Sequence, residues 1–183
     1  MDLSDLKEFF IILHVLGAVI GAGAAFISDA MFFSSVKDRV VSRTEIRFMK
    51  IGSTFVWIGL VILFISGSLI FLTDPEGYLS SSKFLIKMFI VFVIFLNGIV
   101  FHAKHLPLIG RHADHHYPSS DEFVRKKKLL TISGVISVTS WMLALILGSL
   151  SSIPFSFITA LVVYLLIEIV SIFVVLSFSN RMF

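Results

Sequence analysis

Four ionisable side chains lie inside long apolar stretches of this sequence, and they are the residues there best able to do chemistry: His14, Asp29, Lys87 and Glu168. On insertion scales, an ionisable group at the centre of a membrane helix costs roughly 2.5–3.5 kcal/mol, so each one requires a partner or a function. Imidazole and amine nitrogens are ligands for a metal ion or a haem iron, whereas a carboxyl group exchanges protons or binds cations.

The depth of each group follows from its position in its apolar stretch, because a helix rises about 1.5 Å per residue. His14 and Lys87 are expected within about 8 Å of one membrane surface. Asp29 is expected about 6 Å from the opposite surface, and Glu168 near the middle of the membrane. The sequence therefore predicts two nitrogen donors on one side and carboxyl groups in the other half.

The composition indicates that membrane helices position these groups. Of 183 residues, 57% are hydrophobic and 15% are charged, against roughly 45–50% and 25% in soluble proteins, and the mean hydropathy is +0.99. There is no cysteine, which excludes disulfides, c-type haem and Cys-ligated iron–sulfur clusters. The net charge is only +3 and the charges are crowded into short segments, so the expected partner is the lipid bilayer and not nucleic acid.

Five apolar runs are long enough to cross hydrocarbon, which takes about 20 residues. They are Phe9–Phe33, Ile51–Leu72, Phe84–Phe101, Leu129–Leu150 and Ile153–Phe178. The runs do not alternate between polar and apolar residues, which excludes a transmembrane β-barrel. We therefore predict an all-α polytopic membrane protein in which residues 1–183 form a single bundle of five transmembrane helices.

Basic residues are concentrated in the connections between the first and second runs and between the third and fourth. They are Lys37, Arg39, Arg43, Arg47 and Lys50 in one, and Lys104, Arg111 and Arg125–Lys128 in the other. Positive-inside bias predicts that both connections are cytoplasmic, with the N-terminus out and the C-terminus in. The compact topology favours a multi-pass protein of the bacterial cytoplasmic (inner) membrane.

Local signals indicate where three of the helices begin. Ser42 with Glu45, and the segment Ser119–Glu122, have the spacing of capping boxes, so two helices are expected to begin there. Pro154 suits the first turn of the fifth helix, where its missing N–H has no intrahelical partner to lose.

The first run carries a stripe of small residues that includes Gly17 and Gly21. One interpretation is a surface on which a neighbouring helix packs closely, as small residues at four-residue spacing allow. The other is a smooth face that admits a flat macrocycle whose iron is ligated by His14. The two interpretations are compatible.

Five of the six histidines lie in the connection 102–128, which is predicted to be a cytoplasmic His-rich loop because it contains Pro107 and Pro118. A divalent metal is one expected ligand, since imidazoles and a carboxylate suit zinc, nickel or copper. The candidate ligands are His102, His105, His112, Asp114 and His116. The alternative is a solvated basic loop that is attracted to anionic headgroups.

The intramembrane carboxyl groups have two interpretations as well. Asp29, Asn97 and Glu168 would form a relay for protons or cations through the membrane. Alternatively, they are polar contacts that fix the register of neighbouring helices. Burial in hydrocarbon favours the neutral acid in either case.

Two short segments carry a family resemblance. The segment Leu13–Ala18 has a histidine one turn into the first helix, and Phe84–Met88 has a lysine at the start of the third. In these features the first 105 or so residues resemble small bacterial membrane proteins of the copper-resistance D type and the membrane-bound, haem-containing protoporphyrinogen oxidases. The resemblance implies haem binding by His14 and Lys87. The Trp-His pair usual before that lysine is missing here.

These observations lead to three functional hypotheses. The first is a b-type haem protein in electron transfer or in quinone- or porphyrin-linked redox chemistry, with His14 as a ligand of the iron and Lys87, Gly17 and Gly21 in the haem site. If it is an enzyme, it is a membrane oxidoreductase. The second is a proton or metal-cation transporter or channel. In a chain this short, a path across the membrane would require a homo-oligomer. The third is an accessory subunit that docks a membrane partner protein.

Overall fold

The computed structural model describes residues 5–38, 41–111 and 121–182, and this part of the chain contains helices and no strand. The α-helices are α1 (Lys7–Asp38), α2 (Arg43–Phe71), α3 (Pro75–Ser80), α4 (Ser82–Val100), α5 (Leu106–Arg111), α6 (Asp121–Ser149) and α7 (Phe157–Met182), with a π-helical turn at Phe101–His105 between α4 and α5. The predicted all-α class is confirmed.

Among the described residues, five helical segments are long and apolar enough to cross a membrane. They are Lys7–Ser34, Arg43–Phe71, Ser82–Arg111, Lys128–Ser149 and Phe157–Phe178. Each contains most of one predicted run, so the chain is a polytopic bundle of the kind that the hydropathy indicates. Because successive long helices alternate in direction, Arg47, Lys50, Lys104 and Lys128 lie at one end of the bundle, which we call the basic end. The opposite end is the far end.

The predicted capping box at the start of α2 is confirmed. The backbone N–H of Ser42 donates to Glu45 Oε2 at 2.7 Å, and the backbone N–H of Glu45 donates to Ser42 Oγ at 3.2 Å. These bonds satisfy two N–H groups that have no partner inside the helix. For the second predicted box, Ser119 and Ser120 lie outside the described residues, although α6 does begin at Asp121.

The fifth long helix begins later than predicted. Helix α7 starts at Phe157, and Pro154 lies in the connection before it, not in the first helical turn. Ser156 provides the start, because its hydroxyl accepts from the backbone N–H of Thr159 at 3.2 Å and its carbonyl accepts from Ala160 at 2.9 Å. A serine that can cap the helix outweighs the weaker preference of proline for a first turn.

The prediction of a loop from residue 102 is wrong for its first ten residues. The π-helical turn and α5 continue the helical path of α4 as far as Arg111. The backbone N–H of Leu106 reaches back five residues to the carbonyl of Phe101, a wider turn than an α-helix makes. Pro107 cannot donate a backbone hydrogen bond and its ring crowds the preceding turn, and a π-helical turn is a recognised way for a helix to absorb such a disturbance.

Helices α1 and α2 form the most extensive helix pair of the bundle, and glycines bring their backbones together. A Cβ atom at Gly59 would meet the backbone of Gly21, and one at Gly17 would lie 2.9 Å from Ile62 Cγ2. The buried residues in the middle of the bundle include Ala22, Leu60, Ile90 and Trp141, which we call the apolar layer. Large apolar side chains around the outside are exposed, as lipid-facing residues are.

Candidate functional site

Polar side chains are brought together in three places. At the far end, His14 Nδ1 lies 3.1 Å from Ser66 Oγ, and its Nε2 lies 3.4 Å from Lys87 Nζ. The hydroxyl of Ser66 donates its one hydrogen to the carbonyl of Ile62 at 2.6 Å, so it accepts from His14. This network assigns the proton of the neutral imidazole to Nδ1, which leaves the Nε2 lone pair directed at Lys87.

The nitrogen atoms of His14 and Lys87 at the far end are possible ligands of a haem iron, but the space around them is too small for the porphyrin ring. A metal ion with two opposed nitrogen ligands holds them about 4 Å apart, since each metal–nitrogen bond is about 2.0–2.1 Å. His14 and Lys87 are closer than this, at 3.4 Å. The glycine face that was expected to admit haem is also filled, because a Cβ atom at Gly21 would lie 2.7 Å from Trp141 Cη2 and Gly17 abuts α2.

The second group of polar side chains lies toward the basic end, around Asp29. A cleft opens there between α1, α2, α4 and α6. It is lined by Ala25, Ser28, Asp29, Ser53, Val56, Trp57, Ile94, Asn97, Gly98, Phe101, Ser133, Ser137 and Trp141. Only 6% of Asp29 is exposed, and Ser137 hydrogen-bonds its carboxyl group. Within the described part of the chain, Asp29 Oδ2 and Ser28 Oγ have no hydrogen-bond partner.

The other polar residues of the cleft are paired. The amide of Asn97 donates to the carbonyl of Ser133 at 3.0 Å, and the Ser133 hydroxyl donates to Asn97 Oδ1 at 2.7 Å. Ser53 is buried in the cleft wall, and its hydroxyl lies 3.0 Å from Nδ1 of His102, which is exposed. Asn97 is therefore fully engaged between two helices, and Asp29 keeps an open coordination position.

Glu168 is buried apart from this cleft, between α6 and α7. The Ser140 hydroxyl donates to Glu168 Oε1 at 3.0 Å, and it lies 2.9 Å from the hydroxyl of Tyr164. Because the one hydrogen of Ser140 is given to Glu168, Tyr164 donates to Ser140. Glu168 Oε2 has no partner among the described residues. The three residues of the expected relay are thus not hydrogen-bonded to one another.

Helix α6 nevertheless contacts all three. Ser133, Ser137 and Ser140 bind Asn97, Asp29 and Glu168 respectively. Their intervals of four and three residues place them on one face of the helix. Ser140 was expected from the sequence to make interhelical bonds, whereas Ser133 and Ser137 were missed, although their spacing in an apolar helix was the available signal.

The candidate metal ligands of the predicted His-rich loop do not meet within the part that the structure describes. His102 is exposed, whereas His105 is buried and lines a second cavity together with Asp29. His112, Asp114 and His116 lie outside the described residues. Across the described ranges, no three His, Asp or Glu side chains are grouped closely enough to hold a metal ion.

Comparison with known proteins gave no match to a family model, to a curated protein or to a solved structure. The resemblance to copper-resistance D-type proteins and haem-containing oxidases therefore stays a prediction, as does haem ligation by His14 and Lys87. Fold and site together define a multi-pass helical membrane protein with a buried carboxyl group in a polar cleft.

Proposed function

We propose that this protein moves a proton or another small monovalent cation across the membrane, with Asp29 as the group that binds it. The observation that carries the proposal is the unpartnered Oδ2 atom of a carboxyl group that is only 6% exposed and faces a cleft. A buried polar atom without a partner is costly, and a bound proton or cation would compensate for it.

The side chains that line the cleft favour a singly charged cation as the transported ion. Asp29 is the one ionisable side chain among the residues that line it, and the other polar groups are serine hydroxyls and the Asn97 amide. Divalent calcium and the transition metals are usually bound by several carboxylates or imidazoles. One carboxyl group with hydroxyl oxygens around it balances a single positive charge.

Movement through the bundle requires a conformational change. The apolar layer of Ala22, Leu60, Ile90 and Trp141 lies between the cleft at the basic end and the His14–Lys87 pair at the far end. No more than 7% of any of these four side chains is exposed. We propose that the layer closes the path in the conformation described here and that small movements of the long helices open it.

The proposal is tested by ion flux into liposomes that contain the purified protein. A membrane potential is imposed, and an enclosed pH-sensitive dye reports protons while isotope uptake reports sodium. Asp29→Asn removes the exchangeable charge with little change of size and should lower flux by at least about tenfold. Glu168→Gln tests the mid-membrane carboxyl in the same assay, and we expect a loss there too.

Glu76→Gln is the matched control, since Glu76 is an exposed acid at the far end and its loss should leave flux unchanged. Wild-type protein that carries neither ion, or Asp29→Asn protein that carries them as well as wild type, would refute the proposal.

Haem-linked redox chemistry is a second candidate, because His14 and Lys87 bring two nitrogen donors to one depth of the bundle, although their 3.4 Å contact and the packed glycine face leave no room for haem in this conformation. It requires this contact to open and the α1–α2 interface to part. Visible spectra of the air-oxidised and dithionite-reduced protein test it. A Soret band that shifts on reduction and weakens in His14→Ala would establish it, whereas a colourless protein would refute it.

A further inference from the structure

A second, smaller cavity shares Asp29 and Phe101 with the polar cleft. It lies between α1, α6 and the helical segment 101–111, and it is lined by Asp29, Phe32, Phe101, His105, Ile109, Leu130 and Gly134. Apart from Asp29 and His105, these residues have apolar side chains or none. The cavity thus contains two ionisable groups within an apolar wall.

Both groups carry an atom without a partner. Asp29 Oδ2 and His105 Nδ1 are buried and make no hydrogen bond to any described residue. The side chains are 6% and 8% exposed, respectively. The O–H of a neutral carboxylic acid is a donor and the lone pair of an imidazole nitrogen is an acceptor, so the two atoms complement each other directly or through one water molecule.

The position of His105 depends on the π-helical turn. Phe101, His105 and Ile109 are spaced by four residues, and all three line the cavity. They do so because the helix continues through Phe101–His105 into α5 instead of ending. His102, which is also in the turn, is exposed and binds Ser53 on the side of the first cleft.

We propose that His105 passes protons between Asp29 and the basic end of the bundle, so that the passenger of the proposed transport is a proton. The proton of the neutral Asp29 carboxyl moves to Nδ1 of His105, leaving a carboxylate and an imidazolium. The imidazolium then releases its Nε2 proton to water at the basic end, and Asp29 takes another from the first cleft. Rotation of the imidazole ring returns a free lone pair to the Asp29 side, so that both groups are neutral again and one proton has moved.

The two cavities offer no competing group for the proton. The residues that line them include no titratable side chain other than Asp29 and His105. Lys104, which precedes His105 in the sequence, is exposed at the basic end. This inference rests on the proposed function, because it assigns a second group to the same path.

The test uses proton flux in liposomes that contain His105→Gln protein. Glutamine retains the size and polarity of the side chain but cannot carry a proton, so flux should fall by about tenfold or more. Lys50→Gln is the control, because Lys50 is an exposed ionisable residue at the basic end that lines neither cavity, and it should retain wild-type flux. Unchanged flux in His105→Gln would overturn the inference, and so would a loss in Lys50→Gln equal to that in His105→Gln.

Chemical rescue separates proton transfer from a structural role. His105→Ala leaves space in the cavity, and added imidazole should restore flux, whereas pyrrole, a similar ring without a basic nitrogen, should not. Loss of flux that imidazole does not restore would mean that His105 is structural and would overturn the inference. If the wild type carries sodium but no protons, or if only Asp29→Asn loses flux, the proposed function survives and the role of His105 does not.

Discussion

At the residue scale, Ser66 determines which nitrogen of His14 is available. Its hydroxyl donates to Ile62 and accepts from His14 Nδ1, so Nε2 is the nitrogen that faces Lys87. A partner of this kind fixes the orientation of an imidazole as well as its tautomer. The imidazole is therefore held in one geometry before any ligand or proton reaches it.

Ser66→Ala should weaken the far end of the bundle. It leaves Nδ1 of His14 without its hydroxyl partner, and we expect a loss of about 1 kcal/mol in the free energy of unfolding. Thermal unfolding in detergent measures this loss. Ser68→Ala, at an exposed position of the same helix, is the control and should be neutral. Equal stability of the two variants would contradict the assigned network.

The common depth of His14 and Lys87 could be predicted from the sequence, but the residues that contact them and Asp29 could not. Depth alone placed His14 beside Lys87, because two helices that start at the same surface bring residues of equal depth together. Depth cannot tell which face of a helix a serine occupies, so Ser66 and Ser137 were missed. His105 was assigned to a loop because Pro107 follows it, whereas the chain absorbs this proline in a π-helical turn.

At the element scale, the α1–α2 interface depends on the absence of side chains at a few positions. Gly59 of α2 faces the backbone of Gly21, and Gly52 of α2 faces the Ser28 hydroxyl. The small residues of α1 and their packing against another helix could be predicted from the sequence. The matching glycines of α2 could not, because they are seven residues apart and stand out less in the sequence.

A pair of alanine substitutions tests this interface. Gly59→Ala places a methyl group against a rigid backbone and should destabilise the protein by about 1–3 kcal/mol. Gly23→Ala is the matched control in α1, because a Cβ atom there meets nothing within 4 Å. It should be neutral, or stabilising by up to about 1 kcal/mol through its helix propensity. The comparison is made by thermal unfolding in detergent, and equal effects would contradict the described packing.

At the scale of the whole molecule, hydropathy was sufficient to predict the five long helices, because crossing a bilayer requires a length and an apolar composition that few other segments have. The ends of the helices were predicted less accurately from the sequence, as the start of α7 at Phe157 illustrates. Hydropathy cannot distinguish a proline that ends a helix from one inside it, or Ser156 as a cap from Pro154 as a first-turn residue.

The orientation of the bundle is predicted from its basic end. A reporter fused after Phe183 should be cytoplasmic, and one inserted at Glu76 in α3 should be on the other side, because basic connections are retained in the cytoplasm. Alkaline phosphatase and a fluorescent protein, which are active on opposite sides of a bacterial inner membrane, provide the measurement. Activity of both fusions on the same side would contradict the topology.

The serines on one face of α6 connect the separate sites around Asn97, Asp29 and Glu168 through one helix. A rotation of this helix about its own axis would carry Ser133, Ser137 and Ser140 away from Asn97, Asp29 and Glu168 in a single motion. A proton or cation that binds at Asp29 more tightly in one rotational position of α6 would therefore also change the surroundings of Glu168. Binding at Glu168 would then affect binding at Asp29 by the same free energy. Rotation of α6 can in this way couple two carboxyl groups in separate parts of the bundle, so that they respond cooperatively.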